Sequence, residues 1–332
     1  MLEIPKGLQW LYIDLNSYFA SVEQQLNPRL RGRPVAIVPT ETEATCAIAA
    51  SYEAKALGIK TGTMIYEARK ICPDLITVPA RHNAYVHYHH KIMEEIEKHI
   101  PITRLCSIDE VACRLMGDEC QEENARALAL RMKKGIADNV GECLRSSVGI
   151  GPNSFLAKVA SNLQKPDGLT VLYATELPQR LAHLKLQDLP GIGHNMGRRL
   201  QKAGISDIPS FWNLNPKHVR YIWRSVEGER FWYALRGIET KTDNQPERRT
   251  VGHSHVLAPT MRPLHNARLV ARRLTMKAAS RLRRLGYFSS LFSLYVRYDI
   301  PKMAGKKYKW HGDTKLPLAQ DSFSFLKALN IL

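Results

Sequence analysis

The sequence predicts an α/β protein of several domains, and three features carry that expectation. Short apolar runs alternate with helix-period segments over roughly the first 170 residues. A smaller helical stretch, 171–237, follows with Pro and Gly at its turns. A polar stretch without hydrophobic period, "GIETKTDNQPERR" (237–249), then precedes a basic C-terminal piece. At 332 residues the chain exceeds what one simple core organises, which fits the division.

Taken in order, residues 8 to 15 read as a strand, and "NSYFASVEQQL" as a short helix that Asn16 or Ser17 caps. Further strands fall at 33–39 and 45–51. Helices fall at 52–58, stopped by Gly58, and at 64–72, ended by Pro73. A longer helix spans about 83–99. "ITRLCSIDEVACRL" (102–115) gives two strand-like pieces interrupted at Asp109 and Glu110. A helix over 123–139, the strand "CLRSSVGIG" and the helix "SFLAKVASNLQ", capped by Asn153, complete this βα-rich half. The C-terminal piece reads as a strand (250–257), a helix (264–285), a strand (292–298), and a final strand and helix. No internal repeat or low-complexity tract is present.

Charge narrows the function classes. Lys and Arg number 48 against 31 acids, a net of +17. Residues 249–332 hold sixteen of those cations and only three acids, so the excess is concentrated there. A one-signed segment implies a polyanion, nucleic acid first and an anionic membrane surface second. The basic helix "ARLVARRLTMKAASRLRRL" could lie on a membrane, but its place between strands favours a packed domain. No apolar stretch approaches a membrane span and no signal-peptide pattern opens the chain. Six cysteines without a C-x-x-C pair fit a reduced, cytoplasmic protein, not a disulfide framework or zinc site.

The chemistry concentrates in "LYIDLNSYFASVE" (11–23) and "SIDEV" (107–111). Asp14, Asp109 and Glu110 sit in apolar surroundings, where a bare carboxylate is costly and three together repel. Divalent cations relieve that repulsion, and oxygen ligands suit Mg²⁺. Adjacent strand residues face opposite ways, so Asp109 and Glu110 share a site only where the strand ends or turns. The bland alternative pairs each carboxylate with one of the many lysines and arginines.

These two segments resemble the metal-binding motifs of the Y-family, or translesion, DNA polymerases. The resemblance continues in family order through "SYEAKALGIKTGTMIYEARKICP", "SVGIGPNSFLAKVASNLQKPDGL" and "DLPGIGHNMGRRLQKAGI". It implies a right-hand polymerase architecture. An α+β palm would cover 1–17 and 81–170, fingers 18–80 and a helical thumb 171–237. A linker (238–248) would lead to a DNA-binding little finger (249–332). It also implies template-dependent, low-fidelity transfer of a nucleotide from dNTP to a primer 3′-OH, on two Mg²⁺ ions. Asp14, Asp109, Glu110 and the Leu15 carbonyl would be the ligands. Asn16, Ser17, Tyr18, Phe19, Tyr52, Lys55 and Lys165 would surround the nucleotide. Phe19 falls at the family's steric-gate position, where a ring excludes a 2′-OH, and Arg81 and Tyr85 fall near the nucleotide. Lys55 stands where many members have Arg, which turns a bidentate fork into a point charge. Tyr18 reads equally well as core.

"LPGIG" (189–193) resembles a helix-hairpin-helix whose Gly191 and Gly193 bring backbone N–H groups to a phosphate. Arg249, Arg272 and Arg273 are the matching candidates for DNA in the basic segment. "GIGP" (149–152) lacks a third glycine and is no dinucleotide fingerprint. The histidines of "RHNAYVHYHH" scatter around a helix and read as surface residues. "QDSFSF" (320–325) faintly resembles a sliding-clamp peptide and reads equally as a domain helix. Primer–template DNA and dNTP are the expected partners of a monomer, bacterial and nucleoid-associated. The rivals are a non-catalytic DNA-binding paralogue, a nucleotide cyclase with a related palm, and a basic scaffold.

Overall fold

The structure, a computed structural model, describes residues 7–239, 250–299 and 307–332. Arg249 and nearly all of the expected linker lie outside the described residues. The chain divides into two compact units, Met1–Thr242 and Asp243–Leu332.

In the first unit, β1 (Trp10–Leu15) is buried along its whole length, because strands pair on both sides of it and helices cover both faces. It leads into α1 (Tyr18–Leu26). A small sheet follows, β2 (Val35–Val38) between β3 (Ala49–Ala50) and β4 (Ile76–Pro79), with α2 (Tyr52–Ala56) and α3 (Ile65–Ile71) beside it. The sequence reading did not anticipate β4, which pairs parallel with β2. The strand expected over 45–51 shrinks to two residues, since the backbone at Thr45 and Ala47 bonds instead to Ile65 and Thr63.

Next come α4 (His82–Glu97), β5 (Arg104–Leu105), β6 (Glu110–Arg114), α5 (Glu122–Asn139), β7 (Ser146–Gly151), α6 (Ser154–Leu163) and β8 (Leu169–Val171). The main sheet has the order β5-β6-β1-β7-β8, with β1 antiparallel to both neighbours. Its core joins the sheet to α1, α4 and α5 through residues such as Ile13, Tyr85, Ile96, Val111 and Met132. On α6, Asn153 accepts the Leu156 N–H at 2.8 Å, the cap expected of it. The glycines of "GIGP" now have a packing reason. A Cβ on Gly149 would stand 2.0 Å from the Ala157 carbonyl oxygen, so only glycine lets α6 lie on β7.

Four helices follow, α7 (His194–Lys202), α8 (Ile208–Trp212), α9 (Pro216–Trp223) and α10 (Val226–Leu235). They share a core with the buried side of α6. The second unit holds α11 (Leu264–Arg284), the antiparallel pair β9 (Ser289–Asp299) and β10 (Lys307–Ala319), and α12 (Ser322–Ile331). The strand expected over 250–257 is absent. Residues 252–256 are exposed and form no ladder among the described residues, and without a ladder β-propensity stabilises little. "QDSFSF" starts α12. Asp321 caps that helix and Phe325 is buried in the unit's small core, so of the two rings in the segment only Phe323 is exposed. Among the described residues no helix is long and apolar enough to cross a membrane.

Candidate active site

Strand pairing places the carboxylates. Asp14, at the end of β1, is the cross-strand partner of Glu110, the first residue of β6. Partners in register share a face, with Cβ atoms about 5 Å apart. The next N–H, from Leu15, donates to the Asp109 carbonyl at 2.9 Å. Asp109 therefore lies just off the end of the ladder, where a residue next to Glu110 is free to approach the same face. His89 on α4 supports that turn, with Nδ1 2.8 Å from the Ile108 carbonyl.

The three groups differ in electrostatics. Asp14 is 6% exposed and receives the ammonium groups of Lys158 and Lys165, the latter at 2.7 Å. Glu110 shares Lys158 and accepts the Tyr12 hydroxyl at 2.9 Å. Among the described residues no cation pairs with Asp109. Its carboxylate accepts the Ser107 hydroxyl at 2.5 Å, while burial and the charges of Glu110 and Asp14 push its pKa up. Burial pulls the Lys158 ammonium down, but Asp14 and Glu110 outweigh it and hold the group above its ordinary value.

These residues open into a cavity of about 350 Å³. Leu15, Ser17, Tyr18, Phe19, Tyr52, Lys55 and Lys165 line it together with Asp14, Asp109 and Glu110. Ser51 caps α2, which puts Tyr52 and Lys55 one turn apart, with the ammonium 4.5 Å from the ring centroid. Burial, then the like charge of Lys165, lowers the pKa of Lys55. Burial and the Asp14 charge push Tyr52 up to about 12.

The residues between Asp14 and Phe19 differ in how they meet the cavity. Asn16 is not in the cavity wall. It is buried, its amide spent on the Ser147 hydroxyl (3.0 Å) and the Asp167 N–H (2.7 Å), so it ties β1 to the loop after α6. Tyr18 reaches the cavity wall but packs mainly in the core, where its hydroxyl donates to the Tyr85 carbonyl at 2.6 Å. Ser17 precedes α1 but makes no capping bond, because its backbone is left-handed (φ 48°). Conversely, Lys158 escaped the sequence reading. The available signal was a lysine flanked by buried Ala157, Val159 and Ala160 on an amphipathic helix.

The DNA-binding candidates are spread out. Gly191 needs its left-handed φ of +94° in the turn before α7. Gly193 starts α7 at φ −80°, a conformation open to any residue, with nothing near a Cβ. Arg272 and Arg273 are exposed on α11, in the other unit, and Arg249 lies outside the described residues. A larger hollow of about 650 Å³ lies among α7, α9 and α10, lined by Arg199, Lys202, Lys217, Arg220 and Arg224. It shares no residue with the carboxylate cavity.

The donor set suits a divalent metal assembled with substrate better than a closed cage. Among the described residues no three acidic, histidine or cysteine side chains converge into a metal shell. Mg²⁺ asks for less, one or two carboxylates plus phosphate oxygens and water. Asp14 and Glu110, with the Leu15 carbonyl beside them, are hard oxygen donors, and the two lysines now answer their demand for positive charge. The residues fit the ion.

The impB/mucB/samB family matches residues 13–162. A DNA polymerase IV of Moorella thermoacetica is 35% identical over 86% of this chain and 72% of its own length. The DNA polymerase IV of Bacillus velezensis is 30% identical over 88% and 71%. In structure, a Y-family DNA polymerase chimera of Dbh and Dpo4 superposes with a TM-score of 0.78. It covers 97% of this chain and 93% of its own, at 24% identity. DinB from Sulfolobus solfataricus gives a TM-score of 0.62 over 98% and 92%, also at 24% identity. The chain belongs to the Y-family of translesion DNA polymerases, DNA-directed enzymes with the right-hand fold. Membership carries a general dependence on divalent metal.

Proposed function

We propose that the carboxylate cavity is where a deoxynucleotide is joined to a primer 3′-OH. The observation that carries this reading is the register of Asp14 against Glu110, with Asp109 tied to Leu15, at the edge of a cavity that also holds Phe19, Tyr52, Lys55 and Lys165. Asp14, Asp109, Glu110 and the Leu15 carbonyl would hold two Mg²⁺ ions. When bound, such a pair activates the 3′-OH and stabilises the leaving pyrophosphate. Tyr52, Lys55 and Lys165 grip the triphosphate by hydrogen bond and point charge. Phe19 lies against the sugar and excludes a 2′-OH. Ser17 lines the same wall.

The main sheet, flanked by α4, α5 and α6, is the palm (1–17 and 81–170). The small β2–β4 sheet with α2 and α3 is the fingers (18–80), and α7–α10 are the thumb (171–237). Gly191 and Gly193 present the hairpin backbone to a phosphate there. The second unit is the little finger (249–332), with Arg272 and Arg273 on the duplex backbone and Arg249 in the same role. The partners are primer–template DNA and dNTP, met by a monomer in the cytoplasm, at the bacterial nucleoid. Of the clamp peptide, Phe323 is the side chain left to bind.

Primer extension with purified protein, Mg²⁺ and the four dNTPs tests this reading. Template-directed extension that Asp109→Ala abolishes is expected. Folded protein that binds DNA without extending it would instead be the non-catalytic paralogue.

A further inference from the structure

Between α1 and α4 lies an ion pair, a buried carboxylate met by a half-exposed guanidinium, that the proposed reaction does not use. Glu23, one turn after Phe19 on α1, is 1% exposed. A carboxylate withdrawn from water needs donors. Glu23 takes two from the Arg81 guanidinium, Nε at 3.0 Å and Nη2, and a third from the Tyr85 hydroxyl at 2.9 Å. Arg81 and Tyr85 are themselves one turn apart at the start of α4, so the carboxylate clasps one helix to the other.

Tyr85 is fully buried and its ring lies flat on Phe19, centroids 4.3 Å apart at 13°. His82 meets both rings edge-on, at 6.4 Å from Phe19 and 6.1 Å from Tyr85. Of the stacked pair, Phe19 lines the cavity and Tyr85 does not. Phe19 therefore cannot retreat unless Tyr85 does, and Tyr85 cannot turn without leaving a buried carboxylate short of a donor. Contact repulsion changes steeply over fractions of an ångström, so the stiffness behind a steric barrier decides what it excludes.

We propose that Glu23 is a positioning residue for sugar selection. Through Tyr85, and with its charge balanced by Arg81, it sets how far the Phe19 ring projects toward the nucleotide. The inference rests on the reading of Phe19 as the gate, and the experiment separates the two.

The measured quantity is the ratio of kcat/KM for a deoxynucleotide to that for its ribonucleotide, in single-nucleotide primer extension by the full chain. Glu23→Gln keeps the volume and removes the charge. Tyr85→Phe keeps the stack and removes the hydroxyl, and serves where the first variant folds poorly. Each should lower the ratio by about threefold to tenfold, the scale of a side chain released from its preferred rotamer, with dNTP kcat/KM within about twofold of the parent. In a Phe19→Ala background, where the ratio has already collapsed, Glu23→Gln should change it no further. Folded variants that keep the parental ratio, or an equal effect of Glu23→Gln with and without Phe19, overturn the proposal. A parental ratio in Phe19→Ala alone removes the gate, and Glu23's role falls with it.

Discussion

The two compact units solve opposite problems. Around the carboxylates, the main sheet shares one continuous core with α1, α4 and α5, and even charged groups such as Asp14, Glu23 and Glu95 are buried with named partners. The C-terminal unit has a core of Ala279, Leu282 and Phe325, and α11 turns Arg268, Arg272, Arg273, Lys277, Arg283 and Arg284 to solvent. A reacting site must hold its groups within tenths of an ångström, which needs dense packing behind it. A surface that neutralises phosphates needs charge density and little precision. The contrast predicts that single substitutions will be severe in the first unit and mild in the second, where effects should accumulate with charge.

The largest expected effect breaks the first side of the contrast. Asp109→Ala should lower the extension rate by at least about 10³-fold while leaving DNA affinity within a few fold, because it removes a ligand oxygen and not a phosphate contact. Deleting 249–332 should do the reverse. Affinity for primer–template should fall on the order of tenfold to a hundredfold, with a shallower dependence of log K on log salt. Single-nucleotide incorporation at saturating DNA should survive, and fluorescence anisotropy across a salt series reads the binding terms. Phe19→Ala should then cut deoxynucleotide selectivity by roughly tenfold to a hundredfold with modest loss of dNTP incorporation, since the ring acts by exclusion.

The smallest effect concerns stability alone. Glu95 on α4 is buried and bonds Lys98 at 2.7 Å and the Asn139 amide at 3.0 Å, across to α5. Lys98 first, and then Asn139 and His99, hold its pKa below the ordinary value. A depressed carboxylate contributes stability that is complete above its unfolded pKa, about 4.3, and is lost as pH falls through the lower folded value. Glu95→Gln should therefore cost about 1–2 kcal/mol at pH 7 and approach the parent below about pH 4. Denaturant melts at the two pH values check this, and the C-terminal unit should not respond.

What could be read from residues alone follows the reach of each signal. Asp14 at a strand end was legible because β1 is an apolar run broken by one carboxylate, and Asn153 because its cap lies three residues from its partner. Glu110 beside Asp14 was legible only through the resemblance, since register between strands about 95 residues apart has no local trace. Lys158 was missed for the same reason. Its helix shows an embedded cation but not the two carboxylates it meets. The partners of Asn16 were not legible, because Ser147 and Asp167, which occupy its amide, lie more than 130 residues away. The strand expected over 250–257 failed because propensity names a strand but supplies no partner.

The central claim is that Asp14 and Glu110 give up the ammonium of Lys158 for divalent ions, which Asp109 would also ligate, when nucleotide enters. Anomalous scattering from crystals of the enzyme with primer–template, a non-hydrolysable dNTP and Mn²⁺ tests it most directly. The account predicts manganese within about 2.0–2.4 Å of these carboxylate oxygens, with Lys158 moved off them. Nucleotide bound in the cavity with Lys158 still bridging Asp14 and Glu110, and the metal elsewhere, would contradict it.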